Sequence, residues 1–284
     1  QGSEHKTITG SELCGTSRQS DKPCYPSLSS TFTLSCAMTK PSAPIRDELF
    51  AEPLTQTGLF TFNEAVAGVF PDMINRSVPG YATVIAMTGV LAAQHARPDS
   101  AIYDLGCSWG ASLLSVARKI DHPSCQLIGI DNSEAMVKRA RLNLQEQLGD
   151  HRVLLQEGDI MDMQLHNASV VILNYTLQFI PIKQRETLLK RIRSAMQPGD
   201  VLILSEKLTL PDPQLNDYLI DLHHNFKRQQ GYSDLEIAQK RQALEDVLIP
   251  ETRQQHVERL RQVGFSRCDI WFQCLNFASL IAIA

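Results

Sequence analysis

The run Ala101-Ile102-Tyr103-Asp104-Leu105 is apolar, stops at Gly106, and passes through Cys107-Ser108-Trp109-Gly110 into a helical pattern over residues 111–120. Strand, glycine turn and helix in that order form the repeating unit of a doubly wound sheet, because parallel strands need a crossover between them. The unit recurs. Residues 126–130 read as a second strand ending at Asp131, followed by a helix over 134–147 that Asn132 or Ser133 can cap. Strands at 152–156, 169–173 and 201–205 continue the series, with a helix over 184–196 and a break at Pro198-Gly199. A hydrophobic helix over 81–95 precedes the first strand.

The alternation is interrupted once. Residues 207–249 carry two helical stretches, 214–228 and 233–247, the second opened by the capping box Ser233-x-x-Glu236. After a helix over 252–263, residues 267–272 and 277–283 read as a tight antiparallel hairpin on the sheet edge. The expected fold is α/β: a doubly wound, mostly parallel seven-stranded sheet with a helical insertion before the final hairpin.

Composition separates the ends of the chain. Residues 1–43 hold fifteen Ser or Thr, three of the seven cysteines and no amphipathic period, so they cannot bury enough apolar area to offset their ordering entropy. They are expected to be disordered or foreign to the domain, since Met38-Thr39-Lys40 would make a natural start. Residues 44–284 are expected to form the ligand-binding domain. A net charge of −4 provides no global positive field for nucleic acid. Seven cysteines without a C-x-x-C pair suit reduced thiols, and no metal site is expected. With no run of about eighteen apolar residues and no leader pattern, a soluble cytoplasmic protein is expected.

Asp104-Leu105-Gly106-Cys107-Ser108-Trp109-Gly110 places small residues where backbone must approach a ligand, with helix N–H groups directed at it. A dinucleotide fingerprint would need G-x-G-x-x-G, which is absent. As D-x-G-x-S-x-G the segment is similar to the first motif of class I S-adenosylmethionine (SAM)-dependent methyltransferases. Asp131 can accept both hydroxyls of a ribose, in NAD or SAM alike, or can simply cap the next helix. Glu157-Gly158-Asp159-Ile160 tips the balance to SAM, because an acid there can accept from an adenine amino group while Ile160 lies on the ring. After the fourth strand, Asn174-Tyr175-Thr176-Leu177-Gln178-Phe179 lacks the N/D-P-P-Y/F motif of many amino-methylating enzymes. Asn174 either meets the ligand through its amide or is satisfied at the strand end.

Arg241 falls in an apolar stripe with Ile237, Leu244 and Leu248. It either covers apolar surface and pairs with Glu245, or presents its planar fork to a carboxylate ligand. His223-His224 are adjacent on a helix and point apart, which argues against joint metal ligation. Lys183, Arg185, Lys190, Arg191 and Arg193 make one helix basic, read as a solvated face. Cys107 reads as a small packing residue in the ligand loop.

From Phe60 to Ala284 the chain resembles the carboxy-S-adenosyl-L-methionine synthases. The resemblance rests on Val69-Phe70-Pro71-Asp72-Met73-Ile74, Arg76-Ser77-Val78-Pro79-Gly80-Tyr81, Tyr103-Asp104-Leu105-Gly106-Cys107-Ser108 and Thr176-Leu177-Gln178-Phe179. Later stretches are Leu204-Ser205-Glu206-Lys207, Phe226-Lys227-Arg228, Gly231-Tyr232-Ser233, Gln239-Lys240-Arg241 and Trp271-Phe272-Gln273-Cys274. Trp109 and Tyr175 depart from the family pattern without removing a polar contact.

The resemblance implies a class I SAM-methyltransferase-like Rossmann fold. It also implies a reaction in which the SAM methyl is carboxylated, with prephenate as carboxyl source and phenylpyruvate released. Tyr81, Gly106, Cys107, Ser108, Asp131, Asn132, Asp159, Ile160, Asn174 and Arg241 would contact the SAM-derived ligand. Arg241 would be the catalytic residue, facing the new carboxylate. It further implies a homodimer through the inserted helices, and a product consumed by a carboxymethyl-transferring tRNA enzyme, without direct RNA contact. Competing expectations are a small-molecule SAM methyltransferase and a non-catalytic SAM-binding subunit of a tRNA-modifying complex.

Overall fold

A computed structural model describes residues 45–54, 58–149 and 153–284. The expectation for residues 1–43 lies outside the described residues.

The first two helices, α1 (Glu64–Ser77) and α2 (Tyr81–His95), precede the sheet. The βα units follow as β1 (Ala101–Leu105), α3 (Ala111–Ala117), β2 (Gln126–Asp131), α4 (Glu134–Leu148) and β3 (Val153–Glu157). Next come β4 (Ala168–Asn174), a 3-10 turn at Leu177–Phe179, α5 (Ile182–Ser194) and β5 (Met196–Lys207). The insertion contributes α6 (Pro213–Gln229) and α7 (Asp234–Leu244), and the chain closes with α8 (Arg253–Gln262), β6 (Arg267–Cys274) and β7 (Phe277–Ile283).

The sheet order is β3-β2-β1-β4-β5-β7-β6. The first five strands are parallel, and β7 runs antiparallel to both β5 and β6. The expected hairpin is therefore present, with its second strand inserted between β5 and the edge strand β6. Each central strand alternates its apolar residues between the two faces. Tyr103, Leu105, Val171, Leu173, Leu202 and Leu204 meet α5 and α8 on one face. Ile102, Val170, Ile172, Val201 and Ile203 meet Leu113, Val116 and Leu144 on the other. Each such side chain contributes about 1.5–3 kcal/mol when fully buried.

α5, β5 and α7 differ locally from the sequence pattern. α5 stops at Ser194, and β5 begins at Met196 rather than 201. The pairing with β4 shifts between Ala168↔Met196 and Val170↔Val201, so Pro198-Gly199 sits in a bulge rather than at a strand boundary. Asp200 secures the bulge by accepting from the Gln197 N–H at 2.6 Å and from Arg97. α7 ends at Leu244, leaving Leu248 outside the helical stripe.

The basic helix is not a solvated face. Arg185 is fully buried, pairs with Glu251 at 2.5 Å and donates to the carbonyls of Ile180, Gln178 and Ile249. Arg191 donates to the Met161 and Met163 carbonyls, and Arg193 to those of Gly264 and Met196. Of this group, Lys183 and Lys190 stay exposed, Lys190 in an i,i+4 pair with Glu186.

The pattern reading contains no helix at α1, because Pro71 lies inside it. Pro71 has no N–H to give the Ala67 carbonyl one turn earlier. The indole N–H of Trp109 donates to that carbonyl at 2.8 Å, fastening α1 to the glycine turn after β1. Trp109→Phe should therefore cost about 1–3 kcal/mol by leaving the carbonyl unpaired. In a Pro71→Ala background, where residue 71 regains its N–H, the loss should be smaller. Urea unfolding of the four proteins measures this coupling.

Candidate active site

A cavity of about 750 Å³ opens at the C-terminal ends of β1, β2, β3 and β4, where ligands of open α/β sheets bind. Tyr81, Gly106, Cys107, Ser108, Asp131, Asn132, Asp159, Ile160, Asn174 and Arg241 all line it. Residues from the ends of four strands, from the start of α2 and from the insertion thus converge on one space.

The turn after β1 is tied to β2 by the Gly106 and Cys107 N–H groups, which donate to the Ile130 carbonyl at 2.8 and 3.0 Å. Gly106 has φ +79, and a Cβ there would lie 2.4 Å from Thr176 Oγ1, so no other residue fits. Asp131 joins the two turns: Oδ2 accepts from the Ser108 N–H at 2.9 Å and Oδ1 from the Ser133 N–H at 3.0 Å. Ser133 in turn caps α4 by accepting from Met136. Burial raises Asp131 above the usual carboxylate range, and the two N–H donors partly offset this. Each carboxylate oxygen keeps a further lone pair, so fixing the loops leaves Asp131 able to accept from a ligand's hydroxyls.

Ile160 is buried beside the cavity, while Asp159 is exposed and accepts from the Met161 N–H at 2.8 Å. Asn174 sits in a polar network. Its amide donates to Thr88 Oγ1 at 3.3 Å and Ser112 Oγ at 3.0 Å, and its oxygen accepts from Ser205 at 2.7 Å. Both N–H groups are committed within the protein, leaving an oxygen lone pair for a ligand. Burial, with Asp104 and Asp131 nearby, pushes the Cys107 thiol well up and keeps it from acting as a nucleophile.

Arg241 makes no ion pair with Glu245 or with any other carboxylate among the described residues, and its head is exposed toward the cavity. The partner that the helix pattern demanded is therefore not supplied by the insertion itself. His223 and His224 have ring centroids 6.4 Å apart, and both line the cavity. His223 Nε2–H donates to the Ser77 carbonyl at 2.8 Å, and burial together with Lys207 and Lys227 pushes its pKa down to about 3. It is therefore neutral. Among the described residues no group of three or more His, Cys, Asp or Glu side chains could hold a metal.

Sequence reasoning missed two parts of the wall. An aromatic cap comes from Phe60, Phe62, Phe70 and Phe179, with the Phe62 ring edge-on to Phe60 at 5.2 Å and to Phe179 at 5.3 Å. Phe60 and Phe62 precede α1, so periodicity had nothing to register. The second part is a set of lysines, Lys207, Lys227 and Lys240, spread over three elements and adjacent only after folding.

The comparisons with known proteins agree with this geometry. A methyltransferase domain model matches residues 102–199. A carboxy-S-adenosyl-L-methionine synthase of Aliivibrio fischeri is 51% identical over 237 residues, which cover 84% of this chain and 98% of that protein. One from Vibrio vulnificus is also 51% identical, over 84% of this chain and 97% of the relative. The chain belongs to the carboxy-S-adenosyl-L-methionine synthase family. Among solved structures, PigF with SAH aligns with a TM-score of 0.56 at 19% identity, covering 78% of this chain and 60% of PigF. Magnesium protoporphyrin IX methyltransferase from Synechocystis PCC 6803 aligns with a TM-score of 0.52 at 17% identity, covering 74% of this chain and 86% of that one. At such identity these two establish the shared fold: the class I SAM-methyltransferase-like sheet. The chain is a transferase of a SAM-using family.

Asp104 carries a consequence for stability. It is buried, lines the cavity and has one oxygen, Oδ2, without a hydrogen-bond partner. Burial, with Asp131 adding repulsion, pushes its pKa up to about 8, so it keeps its proton at neutral pH. The unfolded chain releases that proton near the ordinary value of about 3.9. Between about pH 4 and pH 8 the folded state holds a proton that the unfolded state lacks, so this group's contribution to stability falls as pH rises. Asp104→Asn keeps the shape and cannot ionise. The Tm of the wild type should fall relative to that variant from about pH 5 to about pH 8. Parallel melting curves would show that Asp104 ionises normally.

Proposed function

We propose that this protein converts SAM and prephenate into carboxy-S-adenosyl-L-methionine, phenylpyruvate and water. The carboxylated product then serves as carboxymethyl donor for modification of wobble uridine in tRNA by a separate enzyme. The observation that carries this reading is Arg241: an unpaired guanidinium at the rim of a SAM-type cavity, where a methyl donor would need no cation. Family membership supports it.

The residues present fit SAM. Asp131 keeps lone pairs for the ribose, Ile160 offers an apolar surface to the adenine, and Asp104 has an oxygen free for a donor. When bound, SAM supplies a sulfonium that acidifies its methyl, the carbon that receives the carboxyl group. Arg241 neutralises the carboxylate as it forms, a charge present in the product and absent from the substrate, so the interaction favours the forward reaction. The aromatic cap of Phe60, Phe62, Phe70 and Phe179 excludes water, which would otherwise compete for the liberated CO2.

In this reading the chain works in the cytoplasm as a homodimer joined through α6 and α7, with residues 44–284 as the working domain. It does not grip RNA, and its mild negative charge suits a protein that releases a diffusible metabolite.

Incubation with SAM and prephenate, each also omitted in turn, should give a nucleoside heavier than SAM by one CO2 in mass spectrometry only when both are present. S-adenosylhomocysteine alone would favour an ordinary methyltransferase. Arg241→Ala should abolish the carboxylated product while calorimetry still detects SAM binding. Undiminished product formation would remove Arg241 from this role.

A further inference from the structure

The cavity holds more positive charge than one new carboxylate requires. Lys207 is the last residue of β5, Lys227 belongs to α6, and Lys240 and Arg241 belong to α7. All four line the cavity. Lys240 is accounted for, since its ammonium meets Asp47 at 3.3 Å and donates to Ser77 Oγ at 3.1 Å. The other two lysines are not. Lys227 is only 7% exposed, and among the described residues neither it nor Lys207 lies within ion-pair distance of a carboxylate. The nearest aromatic face to Lys207 is Phe277, with Nζ 5.9 Å from the ring centroid.

Buried ammonium groups without a counter-ion are costly, and neighbouring cations repel one another in a poorly screened space. Burial, then Lys240 and Lys207, lower Lys227 to about 7, while burial and then Arg241 lower Lys207. An anion entering the cavity removes this penalty by pairing with both. Arg241 is engaged by the carboxylate formed on the SAM methyl, which leaves the two lysines for a second one.

We propose that Lys227 and Lys207 form a carboxylate subsite that holds the part of the co-substrate not transferred, so that the cavity selects a dianionic carboxyl donor. The inference rests on the reaction given under Proposed function. Prephenate has two carboxylates: one leaves the ring as CO2, and the 2-oxo-carboxylate of the side chain remains on phenylpyruvate. Held at the lysine wall, the side chain orients the ring so that its other carboxylate faces the SAM end. The lysines form no bond and move no group.

The test pairs steady-state kinetics with direct binding of phenylpyruvate. Lys227→Gln and Lys207→Gln should each raise the KM for prephenate at least about tenfold. The calorimetric Kd for SAM should stay within about twofold, and Lys227→Arg should recover most of the loss. Phenylpyruvate titrated into the wild-type protein should bind, and each Gln variant should weaken that binding about tenfold.

Lys227 is faced by Lys207 on β5, His223 and His224 on α6, Lys240 on α7 and Asp47 on the N-terminal segment. A bound carboxylate restores its proton, so phenylpyruvate affinity should fall about tenfold per unit above about pH 7, and Lys227→Arg should flatten that slope. Wild-type turnover with prephenate KM and phenylpyruvate affinity unmoved in both Gln variants would overturn the subsite. If the wild type makes no carboxylated product yet phenylpyruvate binding still requires both lysines, the reaction assigned above fails while the subsite stands. Melting curves check that each variant is folded, and if Lys227→Gln is not, Lys207→Gln carries the same readouts from a different element.

Discussion

The site depends on one carboxylate. Asp131 accepts from Ser108 with one oxygen and from Ser133 with the other, so a single side chain sets the glycine turn after β1 and the start of α4. Both turns must hold their places for a cavity to exist between them. Ser108 is held at φ 48, a conformation that costs a non-glycine residue energy and persists because the N–H it presents is captured. The same carboxylate is buried, so it presents to the cavity an acceptor already oriented and partly desolvated.

From that anchor the cavity divides by charge. The strand ends supply acids: Asp104 is kept protonated by burial, while Asp131 is hydrogen-bonded and Asp159 is exposed. The insertion and the end of β5 supply cations. An acidic half suits hydroxyl and amino donors of a nucleoside, and a basic half suits carboxylates. Here the chain maintains buried positive charge at a cost, which makes sense when the guest brings the compensating charge with it.

Much of the fold was legible because its periodicities are local. The βα units, the capping box at Ser233 and Glu236 and the terminal hairpin all rest on residues within a few positions of one another. The failures share a cause too. α1 was hidden by Pro71, whose missing N–H is tolerated because Trp109 pairs the freed carbonyl from 42 residues away. The bulge at Pro198-Gly199 is sustained by Arg97 across 103 residues. Arg185 looked like one surface cation among several and instead anchors α5 to Glu251 and the exit of the insertion. In each case a distant partner outweighed the local signal.

The ten positions that the family resemblance assigns to the ligand all line the cavity and follow the same division. The turn at Gly106, Asp131, and the pair Asp159-Ile160 could be placed from sequence because ligand contacts in this fold recur at strand ends, and strand ends are marked by where apolar runs stop. Arg241 could be singled out as a cation lacking a partner, but not assigned one. That Lys207, Lys227 and Arg241 share a wall was beyond sequence, since they sit on β5, α6 and α7 and no spacing relates them. Sequence alone determined the order of the strands, that of the helices after α1, and the chemistry at the strand ends, because these are written in neighbouring residues. Tertiary structure decided which charges are paired and which are left for a ligand, because pairing depends on distances that only the packed chain defines.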